Sequence, residues 1–232
     1  MLLRSLLFYI FLGLWTIFLG IVCLPSFLLK ADYLKILAKI WIKGIFLILR
    51  LTCNITYEIQ GSHHLPNKPV IIASKHQSAF ETFALYLHIK NSVFIHKKQL
   101  FYIPIFGQYL KKINMISIDR SEGTKSLKKI LLETKKNILI GNSVIIFPEG
   151  TRKRPGESTK YKSGIYAIYK EAASEIIPVA LNSGNFWPKH TFIKKPGKII
   201  IKFLEKIPTN LEKFDLLNKI ESNIESETNK II

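Results

Sequence analysis

The sequence is poor in cysteine and in acidic residues. Only two cysteines, Cys23 and Cys53, occur among 232 residues, which implies no disulfide framework and fits a reducing compartment around the main domain. Asp and Glu total 16 against 34 Lys and Arg, so the formal net charge is +18. This imbalance favours anionic partners, such as nucleic acid, acidic lipid or a phosphorylated substrate.

Several catalytic motifs are missing as well. The chain has no Gly-x-Ser-x-Gly elbow, no P-loop, no Gly-x-Gly-x-x-Gly turn and no cluster with metal-ligand spacing. We therefore expect neither a bound metal nor a cofactor. Because a serine-hydrolase elbow is missing, we expect any attacking hydroxyl to come from a substrate.

Charge is absent from a long segment near the N-terminus. Residues 5–29 carry no charged side chain, and as a helix these 25 residues would extend about 37 Å, more than the roughly 30 Å hydrocarbon core of a bilayer. The segment predicts a membrane-embedded helix that Pro25 bends or ends. A cleaved signal peptide is the alternative, but its apolar core would be unusually long and no small-x-small site follows.

A second helix is predicted over residues 31–51. Its cations fall within an arc of about 80°, with apolar residues around much of the rest. Such a helix can lie in the membrane interface, or it can pack on the domain with an ordinary solvated face. The cations are Lys35, Lys39, Lys43 and Arg50.

Residues 1–52 are thus predicted to anchor the protein in a membrane, and residues 53–232 to form the main domain. Lysines follow the apolar segment, so the positive-inside rule places this domain on the cytoplasmic side. The expected location is the cell membrane, which is the inner membrane in a Gram-negative cell.

Short apolar runs alternate with helical patterns beyond residue 53. This alternation predicts an α/β domain with a mostly parallel central sheet of about seven strands flanked by helices. The predicted strands are 54–60, 70–74, 93–96, 115–118, 144–147, 176–181 and 199–204. The predicted helices are 82–87, 103–112, 123–140, 162–173 and 210–229. The polar loop 151–163 is predicted to be a mobile lip of the site.

Acid–base chemistry is predicted at the end of the second strand. His76 lies on a strand-to-helix loop, and Glu81 follows in the first turn of the helix. Histidine exchanges a proton near neutral pH, and a carboxylate on its other ring nitrogen fixes the tautomer. The same residues also fit a capping box, with Ser78 as the N-cap, in which Glu81 would bond only backbone N–H groups.

A second polar block, residues 147–152, follows the fifth strand. Pro148 ends strand pairing there. Gly150 allows a tight turn or a close approach to a ligand, and Arg152 offers a planar fork suited to phosphate.

At these two blocks the sequence resembles the glycerolipid acyltransferases, most closely the 1-acyl-sn-glycerol-3-phosphate acyltransferases. That family carries a His, four residues and an Asp, and then a Phe-Pro-Glu-Gly-Thr-Arg block, which residues 147–152 match letter for letter. Glu81 stands where Asp is usual and is one methylene longer. The family's Ile-Asp-Arg block is matched by residues 118–120, and Lys97 aligns with its upstream lysine, although His96 stands where a small residue is usual.

The resemblance implies roles for these residues. His76 would be the general base and Glu81 its orienting carboxylate. A basic cluster of Lys97, Arg120 and Arg152 would hold the substrate phosphate. Glu149 would either bond a glycerol hydroxyl or pair with a nearby cation. The implied substrate-binding residues are Lys97, Arg120, Glu149, Gly150, Thr151 and Arg152.

The implied reaction moves a fatty acyl group from acyl-CoA or acyl carrier protein to the 2-hydroxyl of 1-acyl-glycerol-3-phosphate, a lysophosphatidic acid, and gives phosphatidic acid. Membrane lipids are then the expected partners, and nucleic acid is not. Two alternatives stay open: an acyltransferase of another lysolipid, such as a lyso-ornithine lipid, and a basic membrane-tethered module without catalysis. The second explains the net charge and the anchor, but not the His–carboxylate pair or the Pro-Glu-Gly-Thr-Arg turn.

Overall fold

The computed structural model describes residues 1–25, 30–103, 106–157 and 159–232, and only the backbone of Arg120. Seven strands form one sheet, and helices cover it on both faces. The described helices are α1 (Leu2–Val22), α2 (Ala31–Cys53), α3 (Phe80–His88), α4 (Phe106–Lys112), α5 (Thr124–Leu139), α6 (Gly164–Ala172) and α7 (Lys213–Ile231). The strands are β1 (Ile55–Gln60), β2 (Ile71–Ser74), β3 (Ser92–Lys97), β4 (Ile116–Ile118), β5 (Ser143–Ile146), β6 (Ile176–Leu181) and β7 (Gly197–Phe203).

The strand order is β1-β7-β6-β2-β5-β3-β4. β6 and β7 pair antiparallel, and every other neighbouring pair is parallel. This confirms the predicted, mostly parallel sheet of seven strands. Parallel strands end at the same edge, so the residues at or just after the ends of β6, β2, β5, β3 and β4 lie in a row along it. We call this row the carboxyl edge; it comprises residues 182–185, 75–78, 147–152, 97–98 and 119–122.

The strands β2, β5 and β6 are buried on both faces, as parallel strands under two helical layers require. Side chains alternate between the layers: Ile72 and Ile145 join the core beneath α1 to α4, while Ile71 and Val144 join the core beneath α5 to α7. All residues of β2 and β5 are buried. β2 and β5 are therefore central strands of the sheet, and the two blocks of predicted site residues directly follow them.

The domain helices form where predicted, with their ends shifted by a few residues. The largest shift is in α7, which begins at Lys213 because Glu212 is still extended, with φ −76° and ψ 163°. The predicted helix over 103–112 is described only from Phe106, since residues 104 and 105 lie outside the described residues. Residue 158 of the predicted lip lies outside them too, so the mobility of that loop stays a prediction.

α1 is long and apolar enough to cross a bilayer, with 21 residues and a mean hydropathy of 2.3, although a signal sequence would pass the same test. Residues 26–29 of the predicted apolar segment lie outside the described residues. Ser5 and Phe8 are the buried residues of α1. Ser5 Oγ accepts the backbone N–H of Lys194 at 2.8 Å, and the Phe8 ring packs edge-on against Trp187 with centroids 5.3 Å apart. These contacts tie α1 to the domain.

α2 packs on the sheet and also leaves an apolar stripe in the open. Leu34, Ile45 and Leu49 are buried in the same core as the strands. The stripe consists of Ile36, Ile40, Leu47 and Leu51, which are 42–75% exposed. α2 thus packs on the domain, which was one of its two predicted positions. An interfacial position for the exposed stripe stays a prediction. The domain boundary at residue 52 stays a prediction too.

The contact between α1 and α2 generates a stability prediction. A Cβ added at Gly44 would overlap the Trp15 ring, whose Nε1 donates to the Trp41 carbonyl at 3.0 Å and is therefore not free to move. We expect Gly44→Ala to lower the free energy of unfolding in detergent by about 1–3 kcal/mol, because overpacking displaces the ring. Denaturant unfolding followed by tryptophan fluorescence measures this loss.

Gly13 on α1 provides the matched control, since a Cβ there meets nothing within 4 Å. Gly13→Ala should leave stability unchanged or raise it by up to about 1 kcal/mol, because alanine favours the helix. Equal stability of the two variants would show that α1 and α2 do not approach each other at Gly44.

Candidate active site

His76 follows β2, and its ring is held on two sides. Nδ1 lies 2.8 Å from Oε1 of Glu81. The ring stacks on Phe147, with centroids 3.8 Å apart and planes 15° apart. Because Nδ1 is paired with a carboxylate, Nε2 is the nitrogen that can exchange a proton with a ligand.

Glu81 is a fully buried carboxylate with several donors. Besides facing His76, its Oε1 accepts the backbone N–H groups of Gln77 and Ser78, both at 2.7 Å. Its Oε2 accepts the hydroxyls of Ser78 and Ser183 at 2.9 and 2.7 Å. Burial alone would raise the pKa of Glu81, but His76, Ser183 and the Ser78 amide outweigh burial, so this pKa lies below its usual value. Glu81 is therefore an ionised partner for the histidine.

The two roles predicted as alternatives for Glu81 occur together. Its carboxylate accepts the N–H of Ser78, and Ser78 Oγ accepts the N–H of Phe80 at 2.8 Å, which is a capping-box arrangement. α3 begins at Phe80, two residues before the predicted start at residue 82, and its N-cap is Ala79 rather than the Ser78 of the capping-box alternative. The cap holds the carboxylate where the imidazole can reach it.

Glu149 lies beside the backbone of His76. Its Oε1 accepts the His76 N–H at 3.0 Å and is 3.4 Å from Nζ of Lys75. Burial raises the pKa of Glu149 to about 7, although Lys75 and the His76 amide oppose the rise. Pairing with a cation, one of its two predicted roles, is thus present, and a bond to a glycerol hydroxyl stays a prediction. Oε2 is buried and has no hydrogen-bond partner within the described ranges.

The chain turns sharply after Glu149. Gly150 has φ +73°, in the region that favours glycine, and its N–H donates to the Phe147 carbonyl at 2.9 Å. This is the tight turn that the sequence predicts. Thr151 follows on the exposed side of the turn.

Arg152 is brought next to the histidine loop. The N–H of Lys153 donates to the His76 carbonyl at 2.7 Å. The backbone directly after Arg152 is therefore in contact with the backbone of the histidine loop. The Arg152 carbonyl accepts Nζ of Lys189 at 2.9 Å. The Arg152 side chain is partly exposed at the carboxyl edge.

Lys97 and Arg120 lie further along the same edge. Lys97 is the exposed last residue of β3, and Arg120 begins a short 3-10 turn after β4. Its side chain lies outside the described atoms. The strand order β2-β5-β3-β4 puts the two residues on the second and third strands from His76. Convergence of the cations on one phosphate therefore stays a prediction.

An apolar cavity of about 420 Å³ lies between α1, α2, α3 and α4. Phe94 in its wall stacks on Phe147 with centroids 6.0 Å apart, and Phe147 stacks in turn on His76. His96 also lines the cavity, and its Nδ1 lies 2.9 Å from the Lys97 carbonyl. The cavity thus reaches to within one aromatic ring of the histidine. Its lining includes Leu37, Ala38, Trp41, Phe83, Phe94 and Phe106.

Three residues of the site were not predicted: Ser183, Lys75 and Glu225. Ser183 follows β6, and β6 pairs with β2. The strand order is therefore needed to predict that Ser183 lies near His76. Lys75 directly precedes His76 yet is only 1% exposed, and its Nζ lies 2.7 Å from Glu225 on α7. A lysine next to an apolar strand was the available signal, because lysine is rarely buried without a partner.

Comparison with known proteins gives concordant results. The sequence profile of a family described as Acyltransferase matches residues 56–182. The chain is 34% identical over 199 residues to a 1-acyl-sn-glycerol-3-phosphate acyltransferase of Pseudomonas aeruginosa, over 84% of this chain and 77% of that protein. It is 32% identical over 177 residues to a protein of the same name from Limnanthes douglasii, over 74% of this chain and 58% of that protein.

A solved structure shares the fold. The 1-acyl-sn-glycerophosphate (LPA) acyltransferase PlsC from Thermotoga maritima superposes with a TM-score of 0.81 at 22% sequence identity. The match covers 99% of this chain and 95% of that chain. Helices and sheet are therefore arranged alike from end to end.

The donors to Glu81 generate a pH-dependent prediction. We expect Ser183→Ala to lower the free energy of unfolding by about 1–3 kcal/mol at neutral pH, because the carboxylate loses a donor and its pKa rises. A depressed carboxyl pKa adds stability at neutral pH, and this stability is lost as the pH falls through the folded-state value. The difference between wild type and Ser183→Ala should therefore shrink in acid, in an unfolding series over pH.

Ser222→Ala is the control for this series. Ser222 is exposed on α7, where its hydroxyl donates to the Lys219 carbonyl at 3.3 Å. Its removal should change stability by less than about 0.5 kcal/mol at every pH. A Ser183 effect that is constant across the pH range would contradict a charged Glu81.

Proposed function

Because this chain belongs to the acyltransferase family, and within it to the 1-acyl-sn-glycerol-3-phosphate acyltransferases, we propose that it acylates the 2-hydroxyl of lysophosphatidic acid. The acyl donor would be a thioester, carried by coenzyme A or by acyl carrier protein. The observation that supports this reaction is the His76–Glu81 pair at the carboxyl edge, one ring away from an apolar cavity.

His76 is the general base in this proposal. Its Nε2 removes the proton of the 2-hydroxyl as the oxygen attacks the thioester carbonyl. The tetrahedral oxyanion then collapses, the C–S bond breaks, and the thiolate takes the proton from the imidazolium. Glu81 holds the tautomer and stabilises the imidazolium between these steps. The acyl thioester is the only co-substrate, and no separate cofactor takes part.

The apolar cavity is the proposed place for an acyl chain. A chain laid against Phe94 would put its carbonyl end near the Phe147–His76 stack. Burying each methylene contributes roughly 0.8 kcal/mol of binding, so the length and shape of the cavity would select the chain.

The phosphate of the acceptor would be held by Lys97, Arg120 and Arg152. Each belongs to the carboxyl edge, and Arg152 is beside the histidine loop through the Lys153–His76 bond. A guanidinium binds two phosphate oxygens at once, which fixes the glycerol relative to the base. An acceptor without phosphate, such as a lyso-ornithine lipid, would leave these cations without a partner.

Membrane attachment is part of the proposal. The exposed apolar surface of α1 and the apolar stripe of α2 would enter the lipid and bring the carboxyl edge to a substrate that resides there. The charge pattern supports a cytoplasmic orientation. A non-catalytic binding module is set aside, because the family is one of enzymes and the histidine and its carboxylate are in contact.

His76→Ala tests the base. Without an imidazole, acyl transfer should fall by about 10²–10⁴-fold, with membrane attachment and the fold unchanged. The assay offers lysophosphatidic acid and other lysolipids as acceptors, and acyl-CoA and acyl carrier protein as donors. His63→Ala, which removes an exposed histidine after β1, should keep wild-type activity. His76→Ala activity above about a tenth of wild type would remove His76 from this role.

Ala38→Leu tests the cavity. Ala38 lines it, so a larger side chain there should shift preference toward shorter acyl chains. Competition among donors of mixed chain length, read by mass spectrometry of the product, measures the shift. Ala167→Leu on α6, beneath the other face of the sheet, should leave the product distribution unchanged. An unchanged distribution in Ala38→Leu would place the acyl chain elsewhere.

A further inference from the structure

A buried ionic cluster lies directly behind the catalytic histidine. Nζ of Lys75 binds both carboxylate oxygens of Glu225, at 2.7 and 2.9 Å, and lies 3.4 Å from Oε1 of Glu149. That same Oε1 accepts the N–H of His76. A continuous path of charge-assisted contacts therefore runs from α7 through Lys75 and Glu149 to the histidine backbone.

α7 is firmly placed for this contact. Ile220 and Ile224 are fully buried in the core beneath the sheet, which fixes the helix face that carries Glu225. Tyr161 donates its hydroxyl to Glu225 Oε1 at 2.8 Å, and its backbone N–H donates to Glu221 at 3.1 Å. Glu225 is thus held by the Tyr161 hydroxyl as well as by Lys75.

The cluster has more carboxyl groups than cations. Lys75 is the cation in contact with both Glu149 and Glu225, and its side chain is 2% exposed. Glu149 Oε1 is consequently shared between an ammonium group and a backbone amide. If Lys75 had Glu149 as its only carboxylate, the ammonium would draw that oxygen away from the amide.

We propose that Glu225 is a positioning residue of the active site. By holding Lys75, it keeps the Glu149 carboxylate on the N–H of His76 and so sets the place of the imidazole. Glu225 does not touch the substrate; it acts from the C-terminal helix through Lys75. This inference rests on the proposed acyl transfer by His76.

Glu225→Gln tests the inference. The amide keeps the size of the side chain and an acceptor for Tyr161, but it removes the charge that holds Lys75. We expect kcat to fall by roughly 10–100-fold, because small displacements of a catalytic group are costly, with KM for the acceptor changed less than about twofold. The acceptor is the lysolipid that wild type acylates fastest.

Glu227→Gln is the matched control. Glu227 lies on the same helix and pairs with Lys202 and Lys230, both at 2.6 Å, away from the histidine. The substitution removes the same charge from the same helix, so it should leave kcat at the wild-type value. Equal kcat values for Glu225→Gln and Glu227→Gln would overturn the inference.

A double variant, Lys75→Met with Glu225→Gln, tests whether Glu225 acts through Lys75. Removing both partners of a buried ion pair is often neutral for folding, whereas removing one is destabilising. With no ammonium left to draw Glu149 away from the His76 N–H, the double variant should regain most of the kcat that Glu225→Gln loses. All kcat values are taken well below the thermal midpoint of each variant, so that loss of folded protein does not contribute, and a kcat that stays as low as that of Glu225→Gln would overturn the inference.

The outcomes distinguish the inference from the function on which it rests. A wild-type protein without acyl transfer to any lysolipid would overturn both. An active wild type whose kcat survives Glu225→Gln would overturn the inference alone.

Discussion

The site depends on keeping one buried carboxylate ionised. A charged group without water is strongly disfavoured, and Glu81 overcomes this with the imidazole of His76 and four further donors from backbone amides and hydroxyls. Two of these donors belong to Ser78 in the adjacent loop, and one belongs to Ser183 after a different strand. The neighbouring positions of β2 and β6 are therefore a requirement of the chemistry, because only that pairing brings the distant hydroxyl to the acid.

The sheet also separates an apolar environment on one side of the histidine from a charged environment on the other. On one face, the aromatic rings of Phe147 and Phe94 continue the His76 ring into an apolar space between helices. On the other, Lys75 and the carboxylates around it form a buried ionic cluster beneath α7. Glu149 belongs to this polar side and still contacts the histidine backbone. The His76 imidazole therefore lies at the boundary between the apolar space and the ionic cluster.

Local patterns in the sequence carried much of this information. Apolar runs with turn residues after them predicted all seven strands, and the spacing of His76 and Glu81 predicted their contact. The missing parts were pairings over long sequence distances. Lys75 meets a carboxylate 150 residues away, and Ser183 joins Glu81 across 102 residues. No local pattern records such a partner, because it is set by strand order and by which face of α7 is buried.

The attachment of the first helix has a mechanical consequence. Ser5 is bonded to the backbone of Lys194, and Phe8 packs against Trp187, so α1 is fixed to the domain rather than hanging from a flexible tether. Whatever surface the helix comes to rest on, the distance from that surface to His76 is constant. No flexible linker can then move the imidazole toward a distant acceptor. The reacting hydroxyl of the acceptor must itself come to the fixed distance from the surface at which His76 lies.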